Sequence, residues 1–321
     1  MEQLHRMRQL VGAVVVVMLL AACTAGDSGS SPTTASPSPT PGVVRAEDVS
    51  ALLDSYDRRN NAAIASSRKT HDPTVWLTAD VGPLLRADAF DTRWHYVSGG
   101  KSPLGQLTHT GSAVYAPAAA EGEQSVIIDL TRTSTVKGDK TVRMLAIFRR
   151  EDHVKDWRQF GSAVVGKGAN VPAPRRGAAP ALTPAVRKEV LRWSERARLD
   201  LEKGKDSGLG LAAIRGELRV SGAAKFDETV SVAYPLPITD QLGPRGGVVA
   251  IPAETGVVAV VMFEAEASYR GPLTWEDRTY ALTVGERPGA DELTKRTVIA
   301  LALHIVGATA TLLGSDIDDA L

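Results

Sequence analysis

The sequence predicts an α+β chain of two tandem units, each a helix packed on a curved antiparallel β-meander. Amphipathic helical spacing occurs twice, once at the head of each half. Each helix is followed by apolar residues alternating at period two, and a Gly/Pro/Ala-rich stretch separates the halves. The 321 residues are enough for two units that each bury a core. Aromatics make up only 5% of the chain, so Val, Leu, Ile and Ala must fill those cores.

The N-terminus carries an address. His5, Arg6 and Arg8 precede Val11–Leu20, VGAVVVVMLL, an apolar run too short for a spanning helix and suited to a signal-peptide core. It ends in Leu20-Ala21-Ala22-Cys23, the only cysteine of the chain. This tetrapeptide resembles the lipobox of bacterial lipoproteins. The resemblance implies cleavage after Ala22 and diacylglycerol and palmitate on Cys23, with two or three acyl chains holding the protein firmly on a membrane. Residues 1–22 are then a signal peptide. Their removal takes away Arg6, Arg8 and Glu2, so the mature chain stays close to neutral. Balanced charge argues against nucleic acid as a partner. A lone cysteine excludes internal disulfides and cysteine-based zinc sites.

Residues 23–46 form a tether. Thr24–Gly42, TAGDSGSSPTTASPSPTPG, has little to bury against its ordering entropy, and its prolines favour extended backbone. Gly26-Asp27-Ser28-Gly29 imitates the nucleophile neighbourhood of trypsin-like proteases, but a tether cannot fix a base or oxyanion donors around Ser28.

The first unit spans 47–165. Glu47 and Asp48 stand at the positive end of a helix whose inner face is Val49, Leu52, Leu53, Tyr56, Ala63 and Ile64, with Asp54, Asp57, Arg58 and Arg59 opposite. A shorter helix is expected around 79–89. Period-two alternation then marks Leu107–Ala116, Ser125–Val136, Thr141–Arg149 and Trp157–Val165 as strands, with Lys137–Lys140 as a hairpin turn. Residues 166–182 read as a linker.

The second unit spans 183–321. Thr183 caps a helix with Pro184 at its first position, Val186, Val190, Trp193, Ala197 and Leu201 form its inner face, and Gly204 ends it. Strands are expected at Thr229–Tyr234, Val248–Ile251, Val257–Tyr269, Thr279–Val284, Val298–His304 and Ala308–Leu313, with Gly307 turning the last hairpin. Each unit resembles the cystatin-like and NTF2-like architecture, in which a helix lies in the concavity of a sheet. The whole layout resembles actinobacterial lipoproteins that carry domains of unknown function behind a lipobox and tether. That resemblance supplies no catalytic residues.

Chemistry-bearing motifs fail on context. Ser66-x-x-Lys69 has penicillin-binding-protein spacing but sits at a helix end without partner motifs. Gly208-x-Gly210-x-x-Ala213 mimics a dinucleotide fingerprint without a preceding strand. The mature histidines His71, His95, His109, His153 and His304 lack metal-ligand spacing, and no metal or cofactor is expected. His304 is expected to be a half-buried strand residue bonded to a backbone carbonyl, and Asp316, Asp318 and Asp319 a solvated tail. Trp94, Tyr96 and Trp157 are the candidates for an apolar ligand cup in the first sheet.

The expectation is therefore a non-enzymatic lipoprotein on the extracytoplasmic face of the cell membrane, binding or scaffolding a cell-envelope protein or a small ligand. The alternatives are a carrier of small molecules or lipids, or an enzyme working in an NTF2-like cup. An open concave face would favour these alternatives, and filled faces the scaffold.

Overall fold

The computed structural model describes residues 42–100, 105–119, 123–150, 156–218, 228–235, 247–286 and 292–321. The expected signal peptide, Leu20–Cys23 and almost all of the expected tether lie outside these residues.

Both halves begin with helices and continue in antiparallel strands, but they share one sheet. Helix α1 (Val49–Thr70) is followed by a 3-10 turn (Pro73–Thr78) and α2 (Gly82–Val97). Strands β1 (Leu107–Tyr115), β2 (Gln124–Ser134), β3 (Val142–Arg150) and β4 (Arg158–Val165) form an antiparallel meander. Then come α3 (Pro184–Lys203), α4 (Ala212–Leu218), β5 (Thr229–Ala233), β6 (Val248–Pro252), β7 (Val257–Arg270), α5 (Trp275–Val284), β8 (Glu292–Val306) and β9 (Thr309–Asp319). The main path through the sheet runs β1-β2-β3-β4-β9-β8-β7-β5, with β6 pairing on β7. Every pairing between these strands is antiparallel, and the chain is α+β.

A narrow seam joins the halves: β4 meets β9 only at Val164–Ser315 and Val165–Gly314. Gly314 is required there, since a Cβ would collide with the Val164 carbonyl. From this seam the sheet halves stack inner face to inner face. Ile127, Leu145, Ile147 and Phe160 of the first half pack with Val249, Ile251, Val258, Val260, Met262, Val298 and Ala300 of the second. The outer faces carry the helices. Leu52, Leu53 and Tyr56 of α1 cover Val126, Ile128, Met144, Ala146 and Phe148. Val190, Trp193, Ala197 and Leu201 of α3, with Ile214 and Leu218 of α4, cover Val261, Phe263, Ile299 and Leu301. The layers run helix, sheet, sheet, helix.

This corrects the expected division at 166–182. That segment is no exposed linker: Ala179 is buried and bridges Pro117, Pro174 bridges Ala253, and Val171 packs into the shared core. Pro39–Leu321 forms one compact unit. Both faces of β3 are buried, Met144, Ala146 and Phe148 under α1 and Leu145 and Ile147 in the shared core. Composition does not reveal that both faces of each half are covered, the outer by a helix and the inner by the other half.

Three elements differ locally from the sequence reading. The second helix extends to Val97, so Trp94 and Tyr96 lie on α2. Thr279–Val284 is the second half of α5. Its alternation suggests a strand, but Thr274 caps the Asp277 amide while Asp277 caps the Thr274 amide, the reciprocal box that starts a helix. Asp316, Asp318 and Asp319 belong to β9 instead of a solvated tail, with Asp316 half-buried. The Val298–His304 stretch, whose Ala and Leu also suit a helix, is strand, closed by Gly307 at φ +56°.

Candidate functional site

The apolar cup expected from Trp94, Tyr96 and Trp157 is not assembled. Trp94 stacks on Phe90 and packs beside Tyr269, Tyr280 and Leu293. Tyr96 is exposed beside the His71 ring. Trp157 packs at the rim of the α1-covered core, under the Arg150 guanidinium. Trp94 and Tyr96 are carried by α2 and Trp157 stands just before β4, and the sheet faces they were to line are filled by α1, α3 and the opposite half.

A large cavity lies at the edge of the first half. It is a groove of about 930 Å³ between β1 (Ser112–Tyr115), the entering chain at Gly42–Glu47 and the segment Val171–Gly177. Its position follows from β1, the sheet edge. A bulge between Gly111 and Ala113 resets the strand, placing Ala113 opposite Asp129 and Tyr115 opposite Ile127. With that parity the Val114 N–H and C=O point outward, away from β2. Farther along, the Ala116 carbonyl also points outward and accepts from the Ala179 N–H at 2.8 Å. Val114 has no such partner among the described residues.

The groove walls are Val44, Val171, Pro172 and Pro174, and its polar groups stand at defined places. The Tyr115 hydroxyl donates to the Pro172 carbonyl and ties the crossing segment to the strand. Burial raises the pKa of that phenol, so it remains a donor. Arg143 donates from Nε (2.8 Å) and Nη2 (2.5 Å) to the two oxygens of buried Asp129, a bidentate pair that raises the arginine pKa. Arg45 lies 3.7 Å from Glu47. Arg175 uses Nε on the Ala253 carbonyl at 3.1 Å, and exposed Arg176 makes no hydrogen bond or ion pair among the described residues. With Asp129 and Glu47 each matched by an arginine, the groove carries an excess of positive charge on an apolar body.

Other polar groups are committed internally. Asp57, expected on the solvent face of α1, instead accepts from the His109 amide at 2.9 Å and from His109 Nδ1 at 2.5 Å, beneath the edge-on Tyr56 ring. Among the described residues no hydroxyl hydrogen-bonds the other ring nitrogen, so the pair lacks the nucleophile of a catalytic triad. His304 Nε2 meets the Thr255 carbonyl at 2.8 Å, the half-buried arrangement expected from sequence. Ser66 and Lys69 lie in the last turn of α1, and Gly208 and Gly210 in the loop before α4. No group of His, Cys, Asp and Glu among the described residues has metal-binding geometry. No described helix is long and apolar enough to cross a membrane.

Sequence reasoning missed the groove because strand parity alone does not locate a bulge, and because Val171–Gly177 reads as featureless linker. The available signal was Gly111 followed by two small residues inside a strand, a pattern that marks bulges. No family model matches the chain, and neither a curated protein nor a solved structure is significantly similar to it.

Proposed function

We propose that this chain is a lipid-anchored binding module on the extracytoplasmic face of the cell membrane, held through Cys23 and its tether, and that its ligand enters the groove beside β1. Each half is then a variant of the cystatin-like and NTF2-like helix-on-sheet plan in which the sheet faces serve the core and the ligand site has moved to the edge. The observation that carries the reading is the filling of both outer faces by α1, α3 and α4, while the groove of about 930 Å³ beside β1 stays open. Its volume suits a small ligand or short peptide. Arg175 and Arg176 above apolar walls favour an anionic group on an apolar body, such as an acyl carboxylate or a phosphate ester.

The commitment of His109, Asp129 and His304 to internal partners favours binding over turnover. The test has two arms. The wild-type protein should partition into detergent and fractionate with membranes, and Cys23→Ala should not; identical behaviour would remove the anchor from the reading. Dodecyl phosphate and laurate, titrated calorimetrically, should bind, and Arg175→Ala with Arg176→Ala should weaken both at least tenfold. Undiminished binding by the double variant would exclude the groove.

A further inference from the structure

The outer edge of β1 is satisfied at both ends and bare at Val114. Near its start, Asn61 and Asp57 of α1 occupy the outward backbone groups of Leu107 and the outward N–H of His109. At its far end the Ala116 carbonyl accepts from the Ala179 N–H. Between them stands Val114, opposite Ile128, with its N–H and C=O turned away from β2 and without a partner among the described residues. This position opens into the groove. Val44 of one wall belongs to the α1-covered core and Val171 of the other packs on the shared core. The walls therefore rise on opposite faces of the sheet, with the strand edge between them. An open edge between two walls is placed to receive another strand.

We propose that the groove takes an extended peptide, added to β1 as a further strand through the backbone of Val114, with the peptide's C-terminal carboxylate held by Arg175 and Arg176. This rests on the groove being the ligand site, and it narrows an anionic ligand with an apolar body to a peptide.

Two features select a peptide over an acyl chain. The Val114 N–H is a donor and its C=O an acceptor, so a full partner must offer the complementary pair. An ionised carboxylate accepts but cannot donate, whereas one residue of an antiparallel strand exchanges both bonds with Val114. Side chains of an added strand also alternate between the faces of the sheet. Here each face ends in an apolar wall, Val44 on one and Val171, Pro172 and Pro174 on the other. Charge then fixes the terminus. Asp129 is paired with Arg143 and Glu47 lies beside Arg45, while Arg175 and Arg176 are exposed. Their fixed positive charge suits a free carboxylate. A second copy of the chain would bring its own walls and helices to the same edge; a lone strand brings none.

Titration calorimetry on the full chain tests the assignment with an acetylated pentapeptide of alternating valine and threonine. The free acid should bind, and its C-terminal amide at least tenfold more weakly. Two further probes carry N-methyl groups on alternate residues, in the two possible phases, and leave the protein untouched. One of them should lose at least tenfold, because one set of amides faces β1. Val114→Pro removes the protein's donor at a position where no ladder bond is lost, and should weaken the peptide at least tenfold more than it weakens laurate. In hydrogen exchange the Val114 amide should be unprotected in the free chain and gain at least tenfold protection with peptide. Laurate binding without peptide binding would keep the groove as the ligand site and overturn the peptide; failure of both would remove the groove as well. Unchanged affinity of both N-methylated probes would overturn strand addition. Protection of the Val114 amide before peptide is added would also overturn the proposal, since another occupant would then hold the edge: a second copy if dilution abolishes the protection, residues 24–41 of this chain if it does not.

Discussion

The side-chain amide of Asn61 pairs with the backbone of Leu107 as a neighbouring strand would. Nδ2 donates to the Leu107 carbonyl and Oδ1 accepts the Leu107 N–H, each at 2.8 Å. One turn earlier Asp57 accepts the next outward amide, that of His109. Two polar residues of α1, four apart, therefore occupy the hydrogen-bonding groups of the edge strand that would otherwise template association with another chain.

Replacing Asn61 with Ala should cost about 1–3 kcal/mol, because two backbone groups under α1 lose their partner. Urea unfolding measures the loss. The same variant should also aggregate faster through β1, seen as increased light scattering at equal concentration. Wild-type stability together with wild-type scattering would show that solvent serves the edge equally well.

The two halves should unfold as one. Met262 packs against Gly161 across the shared core, so close that a Cβ at 161 would strike its sulfur. Met262→Ala should cost about 2–5 kcal/mol and shift a single transition. A tryptic nick at exposed Arg175 or Arg176 should leave two pieces that still elute together under native conditions. Fragments that separate while remaining folded would restore independent domains.

Asp277 anchors α5 and should show it in acid. Burial works to raise its pKa, but hydrogen bonds from the Tyr269 hydroxyl at 2.6 Å and from Thr274 outweigh it, with Lys295 3.2 Å away, and hold it at about 2. A depressed pKa stabilises the fold above the unfolded value near 4 and is lost as pH falls toward 2. Asp277→Ala should therefore destabilise by about 1–2 kcal/mol at pH 7, with little difference from wild type remaining at pH 2. Thermal unfolding at the two pH values checks it.

Tyr115→Phe removes the donor to the Pro172 carbonyl. It should cost about 1 kcal/mol and speed amide exchange across 171–179 without disturbing β2 or β3. Dodecyl phosphate binding should weaken in step, since this contact forms one wall of the groove. Unchanged exchange across 171–179 would mean that the Pro174 and Ala179 bridges hold the segment unaided.

The sequence by itself determined what depends on neighbours along the chain. The inner faces of α1 and α3, the Thr183 cap, the Gly204 and Gly307 reversals and the alternation of β2, β3 and β7 follow from side-chain period and backbone freedom, and all were legible. The capping box at Thr274–Asp277 went unread, because the alternation of the residues after it points to a strand. Tertiary structure alone decided matters between distant residues. The Val164–Ser315 seam turns two meanders into one sheet, and the Asp57–His109 contact turns a solvent-face acid inward. The crossing of α2 over β9 sets Leu84 and Ala87 beside Asp316 and Asp318, more than two hundred positions away in the chain. Period specifies which face of an element is apolar. It does not specify which other apolar face will cover it, because hydrophobic burial is non-directional and only close packing of the assembled layers selects the partner.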